Sequence, residues 1–180
     1  MERKVILFIA MSLDGYIAKP DDDISFLSMV GQEGEDYGYA SFVKNVDTVI
    51  WGRRTYEKVL SFGVEFPHAG RNVFVMTSKP LQDYGPVRFY SGSVKELIER
   101  LKRQDGKNIY VDGGSVLVNE MLRYQLIDEF YISVIPILLG DGIPLFRKGI
   151  PEQKLKLAGS QHFEKGLVQM HYVRTVNETE

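Results

Sequence analysis

Cysteine is absent from all 180 residues, so neither a disulfide framework nor a thiolate metal site can form. The three histidines, His68, His162 and His171, are too scattered to read as a zinc motif, and no metal is expected. No charge of one sign dominates. The 22 lysines and arginines against 24 aspartates and glutamates leave a formal net charge of -2, which offers no electrostatic footprint for nucleic acid or an anionic membrane. Apolar runs are short. The opening one, Val5 to Met11, breaks at Ser12-Leu13-Asp14-Gly15 with no small-residue cleavage site behind it, and reads as the first strand of a cytoplasmic protein. A full G-x-G-x-x-G fingerprint is also missing, so an ordinary dinucleotide-binding βαβ assignment has no support.

What is present is an ordinary globular composition, 44% apolar and 26% charged, with no internal repeat or linker that would divide the chain. A chain of this length buries about two-thirds of its unfolded surface, enough for a core held by hydrophobic burial alone. Short β-branched or aromatic runs at Val5-Ala10, Thr48-Trp51, Asn72-Met76, Val87-Tyr90 and Asn108-Val111 read as buried strands. Helical patterns fall between them, at 33–46, 54–60, from a Ser93 capping box to about Arg103, and from Ser115 onward. Glu129 to Leu139 reads as one long strand. Lys156-Glu164 and Leu167-Thr175 form a hairpin turning at Lys165-Gly166. The expectation is an α/β fold with a mixed, mostly parallel sheet, a C-terminal antiparallel hairpin and helices on both faces, its ligand site outside the carboxyl ends of the parallel strands.

Three strand exits carry chemistry. Gly52-Arg53-Arg54-Thr55 opens a helix with free N–H groups and two cations; it reads either as an anion site or as a glycine turn with solvated arginines. Thr77-Ser78-Lys79-Pro80 offers hydroxyls and an ammonium to a phosphate, or is a polar turn. Asp112-Gly113-Gly114-Ser115 puts a glycine pair before a helix, where a pyrophosphate fits and where Asp112 could equally cap the helix. Asp21, Asp22 and Asp23 read as a solvated acidic turn or as a grip on a substrate's polar edge.

Ser12-Leu13-Asp14-Gly15-Tyr16-Ile17-Ala18, Val49-Ile50-Trp51-Gly52-Arg53-Arg54-Thr55-Tyr56-Glu57, Asp112-Gly113-Gly114-Ser115 and Pro136 to Phe146 resemble, in order and spacing, successive blocks of the dihydrofolate-reductase-like superfamily. The first, third and fourth look more like the C-terminal reductase domain of the bifunctional riboflavin-biosynthesis deaminase-reductase. The resemblance implies a single three-layer dihydrofolate-reductase-like domain that carries NADPH across its strand ends. Ala10 and Ile17 would lie by the nicotinamide; Gly52, Arg53, Arg54 and Thr55 by the adenosine phosphates; Thr77, Ser78 and Lys79 by the adenine ribose and its 2′-phosphate; and Gly113, Gly114, Ser115, Val116 and Leu117 by the pyrophosphate.

The implied activity is hydride transfer to a small heterocyclic or ribosylamino-pyrimidine-type substrate, like that of a 5-amino-6-(5-phosphoribosylamino)uracil reductase. A divergent dihydrofolate reductase and a catalytically silent NADPH-binding module are the alternatives. No pterin-anchoring carboxylate aligns, and the tyrosines of 33–39 fall where a substrate wall would stand or else close the core. The proton would come from Asp112, from Asp23 or from water. A homodimer is expected, joined through the apolar run Phe130 to Leu139 as an exposed edge.

Overall fold

Residues buried on both faces of a sheet read as unbroken apolar runs, and the central strands of this protein do so. The structure, a computed structural model, describes residues 2–175. Its main sheet has eight strands in the order β5-β4-β3-β6-β1-β7-β10-β9. These are β1 (Val5–Ser12), β3 (Val46–Gly52), β4 (Asn72–Met76), β5 (Val87–Tyr90), β6 (Asn108–Gly113), β7 (Glu129–Ile135), β9 (Leu155–His162) and β10 (Val168–Arg174). β5 through β7 run parallel, and β10 and β9 return antiparallel as the edge hairpin. Val5, Leu7, Val49, Ile50, Trp51, Val73, Val75, Ile109 and Val111 are fully buried along the centre.

One face is covered by α3 (Val94–Lys102) and α4 (Ser115–Arg123), which place Leu97, Ile98, Leu101, Val118 and Met121 against Leu7, Ile109, Phe130 and Ile132. The other face carries α1 (Tyr39–Val43) and α2 (Arg53–Ser61) over Val49, Trp51, Val73, Val75 and Tyr110. The mixed sheet covered on both faces is the dihydrofolate-reductase-like fold expected from the sequence.

Several boundaries depart from the sequence reading. The helix expected over 33–46 shrinks to α1, because Gly34, Tyr37 and Gly38 all take left-handed φ angles, of 80°, 55° and 80°. Ser93 supplies an extended cap residue but no side-chain cap bond. β7 stops at Ile135, where Pro136 removes a ladder donor. β7 is also no edge: it pairs with β1 on one side and β10 on the other, so a dimer joined through a free edge of Phe130 to Leu139 has no strand to join. A small second sheet pairs β2 (Tyr16–Ala18) with β8 (Ile143–Pro144), and a 3-10 helix covers Ser25–Val30. Among the described residues no helix is long and apolar enough to cross a membrane.

Asp14 ties the first block to the fourth. Its carboxylate accepts the backbone N–H groups of Leu139 at 3.1 Å and Gly140 at 2.7 Å, and the hydroxyl of buried Ser12 at 2.6 Å. The Ser12 hydroxyl and these two amides hold the carboxyl below its ordinary range, against a smaller opposing effect of desolvation. A depressed folded-state pKa stabilises above the unfolded value of about 3.9 and is lost as pH falls through the folded one. Asp14→Ala should therefore lower the thermal midpoint at neutral pH, and the gap from wild type should close in acid; melting curves at about pH 7 and about pH 3 test it.

Candidate functional site

The two best-formed strand exits are adjacent. β3 ends at Gly52 and β6 at Gly113, and each is followed directly by a helix whose cap residue, Gly52 for α2 and Gly114 for α4, makes no side-chain cap bond. Both helices therefore present uncapped N–H groups, and both positive dipole ends point at the same gap. Glycine is required there. Gly113 has a φ of 110° and Gly114 one of 38°, and a Cβ on Gly114 would stand 2.7 Å from Thr55 Oγ1. A Cβ on Gly52 would make only ordinary contact, 3.6 Å from the Gly113 carbonyl, so the backbone demands glycine at 113 and 114 and not at 52.

A cavity of about 650 Å³ opens over these exits. It takes Ala10 and Ile17 from β1 and β2, Gly52, Arg53, Arg54 and Thr55 from the β3 exit, and Thr77 and Ser78 after β4. Asp112, Gly113, Gly114, Ser115, Val116 and Leu117 line it from β6 and α4. In strand order the lining grades from hydroxyls and cations near β4 and β3, through amide-rich glycines at β6, to an apolar floor of Ile9 and Ala10 at β1.

Two of the residues singled out in the sequence lie outside this lining. Lys79 is exposed beyond a turn in which Thr77 Oγ1 accepts the Lys79 N–H at 3.2 Å and donates to the Lys79 carbonyl at 2.9 Å. Asp23 is bound up in its own loop. Its carboxylate accepts Lys19 Nζ at 2.6 Å, the Ser25 hydroxyl at 2.7 Å and the Ser25 N–H at 2.8 Å. Lys19 first, then Ser25, hold it far below the usual carboxylate range, and every one of these contacts lies inside its own loop, away from the cavity. Asp22, its neighbour, does line the cavity; at a left-handed φ of 62° it accepts Arg54 Nε at 2.9 Å.

Asp112 does not cap α4. Its Oδ2 lies 2.6 Å from His68 Nε2, and its Oδ1 accepts the Tyr110 hydroxyl at 2.5 Å. Burial, then the Asp112 charge, push the Tyr110 phenol well up; burial and the same charge push Tyr39 up to about 12, against Arg71. Both phenols remain donors. Tyr37 and Tyr39 close the core: Tyr37 meets Phe163 edge-on, and Tyr39 packs on Phe8 and Tyr110.

Sequence reading missed Arg147, Lys58, Leu27 and Ile24 in the lining, and His68 behind it. Arg147 Nε donates to Ser115 Oγ at 2.9 Å and its N–H to Asn119 Oδ1 at 2.7 Å, contacts between a loop and a helix that no local pattern announces. Tyr110 and Asp112 carry a signal in hindsight, since residues two apart on a strand share a face.

A family model described as RibD C-terminal domain matches residues 3–169. Among curated proteins, "Uncharacterized protein YwjB" of Bacillus subtilis (strain 168) is 46% identical over 176 residues, 97% of this chain and 99% of that protein. Among solved structures, the "Putative riboflavin biosynthesis protein" of Shewanella sp. PV-4 has a TM-score of 0.88 at 32% identity, covering 98% of this chain and 100% of that one. Two more distant structures share the fold. A diaminohydroxyphosphoribosylaminopyrimidine deaminase/5-amino-6-(5-phosphoribosylamino)uracil reductase of Thermotoga maritima has a TM-score of 0.71 at 20% identity, over 97% of this chain and 57% of that one. A dihydrofolate reductase of Enterococcus faecalis, complexed with NADP(H), has 0.67 at 18%, over 98% and 100%.

The glycine cradle is testable without any ligand. Gly114→Ala forces a Cβ against Thr55 and a non-glycine residue into a sparsely allowed backbone region, which should cost about 1–3 kcal/mol of folding stability in a urea titration. Unchanged stability would mean that the two exits can part.

Proposed function

The chain belongs to the RibD C-terminal domain family, and on that premise we propose that it is a cytoplasmic NADPH-dependent reductase acting on a small heterocyclic or ribosylamino-pyrimidine-type substrate. The observation that carries this reading is the graded lining of the cavity, with anion-binding groups at the β4, β3 and β6 exits, apolar Ile9 and Ala10 at β1, and three carboxylates, of which Asp112 comes from β6 itself and Asp22 and Glu120 from other segments. An elongated ligand with phosphates at one end and a flat, weakly polar ring at the other fits that sequence of surfaces. The glycine pair Gly113-Gly114 leaves backbone N–H groups where side chains would otherwise stand, a cradle suited to a pyrophosphate.

NADPH bound there would supply a hydride from its nicotinamide ring. The amides of Gly114 and Ser115 and the first turn of α2 would hold the pyrophosphate, with Arg147 beside Ser115. Thr77, Ser78 and Arg53 would take the 2′-phosphate. Ile9, Ala10 and Ile17 exclude water from the reacting face, which strengthens every polar contact inside the cleft. Asp112, which lines the cavity, would hold the proton for the reacting end.

A 2′-phosphate site predicts preference for NADPH over NADH by at least about tenfold, roughly 1.4 kcal/mol, which one charge-assisted contact can supply. Arg53→Ala should weaken NADPH more than NADH, read by nicotinamide fluorescence; equal affinities in the wild type would remove the 2′-phosphate site. Loss of NADPH absorbance with 5-amino-6-(5-phosphoribosylamino)uracil, compared with dihydrofolate, then separates the pyrimidine reading from the folate one.

The chain is also proposed to pair with a second copy, through the outer hairpin instead of β7. Leu155, Leu157 and Val168 share one face of β9–β10 and are 42%, 52% and 41% exposed, beside a strand edge with unpaired backbone groups. Light scattering at micromolar concentration should give twice the chain mass, and Leu157→Lys should halve it.

A further inference from the structure

Behind the cleft stands a group of polar side chains that hydride chemistry does not by itself employ. Asp112 is the innermost carboxylate of the cleft, with a side chain 24% exposed, and its two oxygens are both held from the protein side. Tyr110 Oη lies 2.5 Å from Oδ1, and His68 Nε2 lies 2.6 Å from Oδ2. The His68 side chain is 1% exposed, packed against Trp51 at 4.8 Å between ring centres and edge-on to Phe66 and Tyr110. Its Nδ1 is buried and, among the described residues, has no hydrogen-bond partner.

That bare Nδ1 decides the tautomer. An imidazolium would bury a charged N–H with nothing to accept it, a cost of several kcal/mol in a dry site. The neutral Nδ1–H tautomer would leave the same donor orphaned and would set an Nε2 lone pair against a carboxylate. The neutral Nε2–H form makes the contact without burying an orphaned donor, leaving only a lone pair on Nδ1, and is the form assigned from the hydrogen-bond network. Tyr110 is a divided partner, because its hydroxyl also lies 3.2 Å from the Phe8 carbonyl and has one proton for two acceptors. His68 has no such alternative. The other titratable group against this cluster is Tyr39 of α1, with Arg71 near it; Arg53, Arg54, Lys58, Asp22, Glu120 and Arg147 line the same cavity.

We infer that Asp112 delivers the proton that completes reduction, and that His68 is its positioning residue, holding from behind the carboxylate that proton transfer leaves. The inference rests on the reductase reading. In the step, the hydride brings two electrons to the carbon of a C=N bond and the π pair moves to nitrogen. That nitrogen takes the proton from the Asp112 carboxyl. The dinucleotide leaves oxidised, and Asp112 regains a proton from water on the cleft side, its only open side. His68 gives up no proton; its Nε2–H favours the ionised carboxyl and keeps the free lone pairs directed at the cleft.

The coupling can be read without a substrate by following the Asp112 carboxyl carbon by 13C NMR across a pH titration. His68→Leu removes the donor and should raise the midpoint by about one pH unit, a tenfold change in the acid constant, whereas His68→Gln, which keeps an N–H donor, should restore most of it. Should the leucine variant fail to fold, Tyr110→Phe removes the second donor with its ring in place and should move the midpoint the same way by less. Midpoints equal in wild type and variants would overturn the inference. In turnover, His68→Leu should lower kcat with KM for NADPH unchanged, shift the high-pH limb of the rate profile upward, and add nothing in an Asp112→Asn background. Full turnover by Asp112→Asn would overturn the proton role. A wild-type protein that shows the NMR coupling yet oxidises NADPH with neither pyrimidine nor folate acceptors would count against the reductase reading, leaving the His68–Asp112 contact standing.

Discussion

The contact on which the rest of the site depends is the one between the carboxyl ends of β3 and β6. Two parallel strands with a right-handed helix after each bring two helix N-termini side by side, and like partial charges oppose that arrangement. Here it is made possible by removing side chains from the crossing point. Gly113 and Gly114, at positive φ and with Thr55 Oγ1 2.7 Å from where a Gly114 Cβ would stand, let the first turns of α2 and α4 close on one another. The packed sheet beneath, with Ile50, Trp51 and Val111 wholly buried, keeps the pair from relaxing apart. The cavity, its gradient of polarity and the position of Asp112 all follow from where these two exits meet.

A second constraint acts from the far side of the cleft. β1 leaves the sheet through Ser12 and Asp14, and Asp14 reaches the loop after β7 by accepting the amides of Leu139 and Gly140. β2 then pairs with β8, so the segment that follows, Lys19 to Ser25, hangs from a small sheet of its own. Acidic residues crowded there are sorted by their partners. Asp23 is spent on Lys19 and Ser25 inside the loop, while Asp22, in a left-handed conformation, turns outward to Arg54 on the opposite wall.

The sheet was legible in the sequence because both faces of its central strands are covered, which writes short apolar runs such as those within Val5–Ser12 and Val46–Gly52 plainly into the chain. The glycine-bearing exits were legible for a similar reason: a residue needed for the absence of a side chain stands out. Boundaries set by backbone geometry were harder to see. Nothing in the pattern of 33–46 reveals that Tyr37 takes a positive φ, and a capping-box spelling at Ser93 did not oblige its hydroxyl to bond. The interior place of β7 escaped notice because an apolar strand reads alike whether it lies at an edge or between two neighbours. Least visible were partners distant in sequence. His68 stands in a turn-rich connection between α2 and β4, and only the folded chain brings it to Asp112; the same holds for Arg147 at Ser115.

The four cations that line the cleft are not equally available. Arg53 already holds Glu57, one helical turn along, and Arg54 holds Asp22. Each pair is substantially exposed, so forming it contributes little and giving it up costs little. At these two arginines the cleft behaves less like a positive well than like an ion-exchange bed, whereas Lys58 lies over the Phe62 ring and Arg147 donates to neutral Ser115. An arriving phosphate displaces a carboxylate, and on departure the carboxylate returns. The displaced carboxylates stay tethered to the wall, so the bound phosphate is held by short-range contacts, in a protein whose overall charge of -2 provides no long-range pull on an anion.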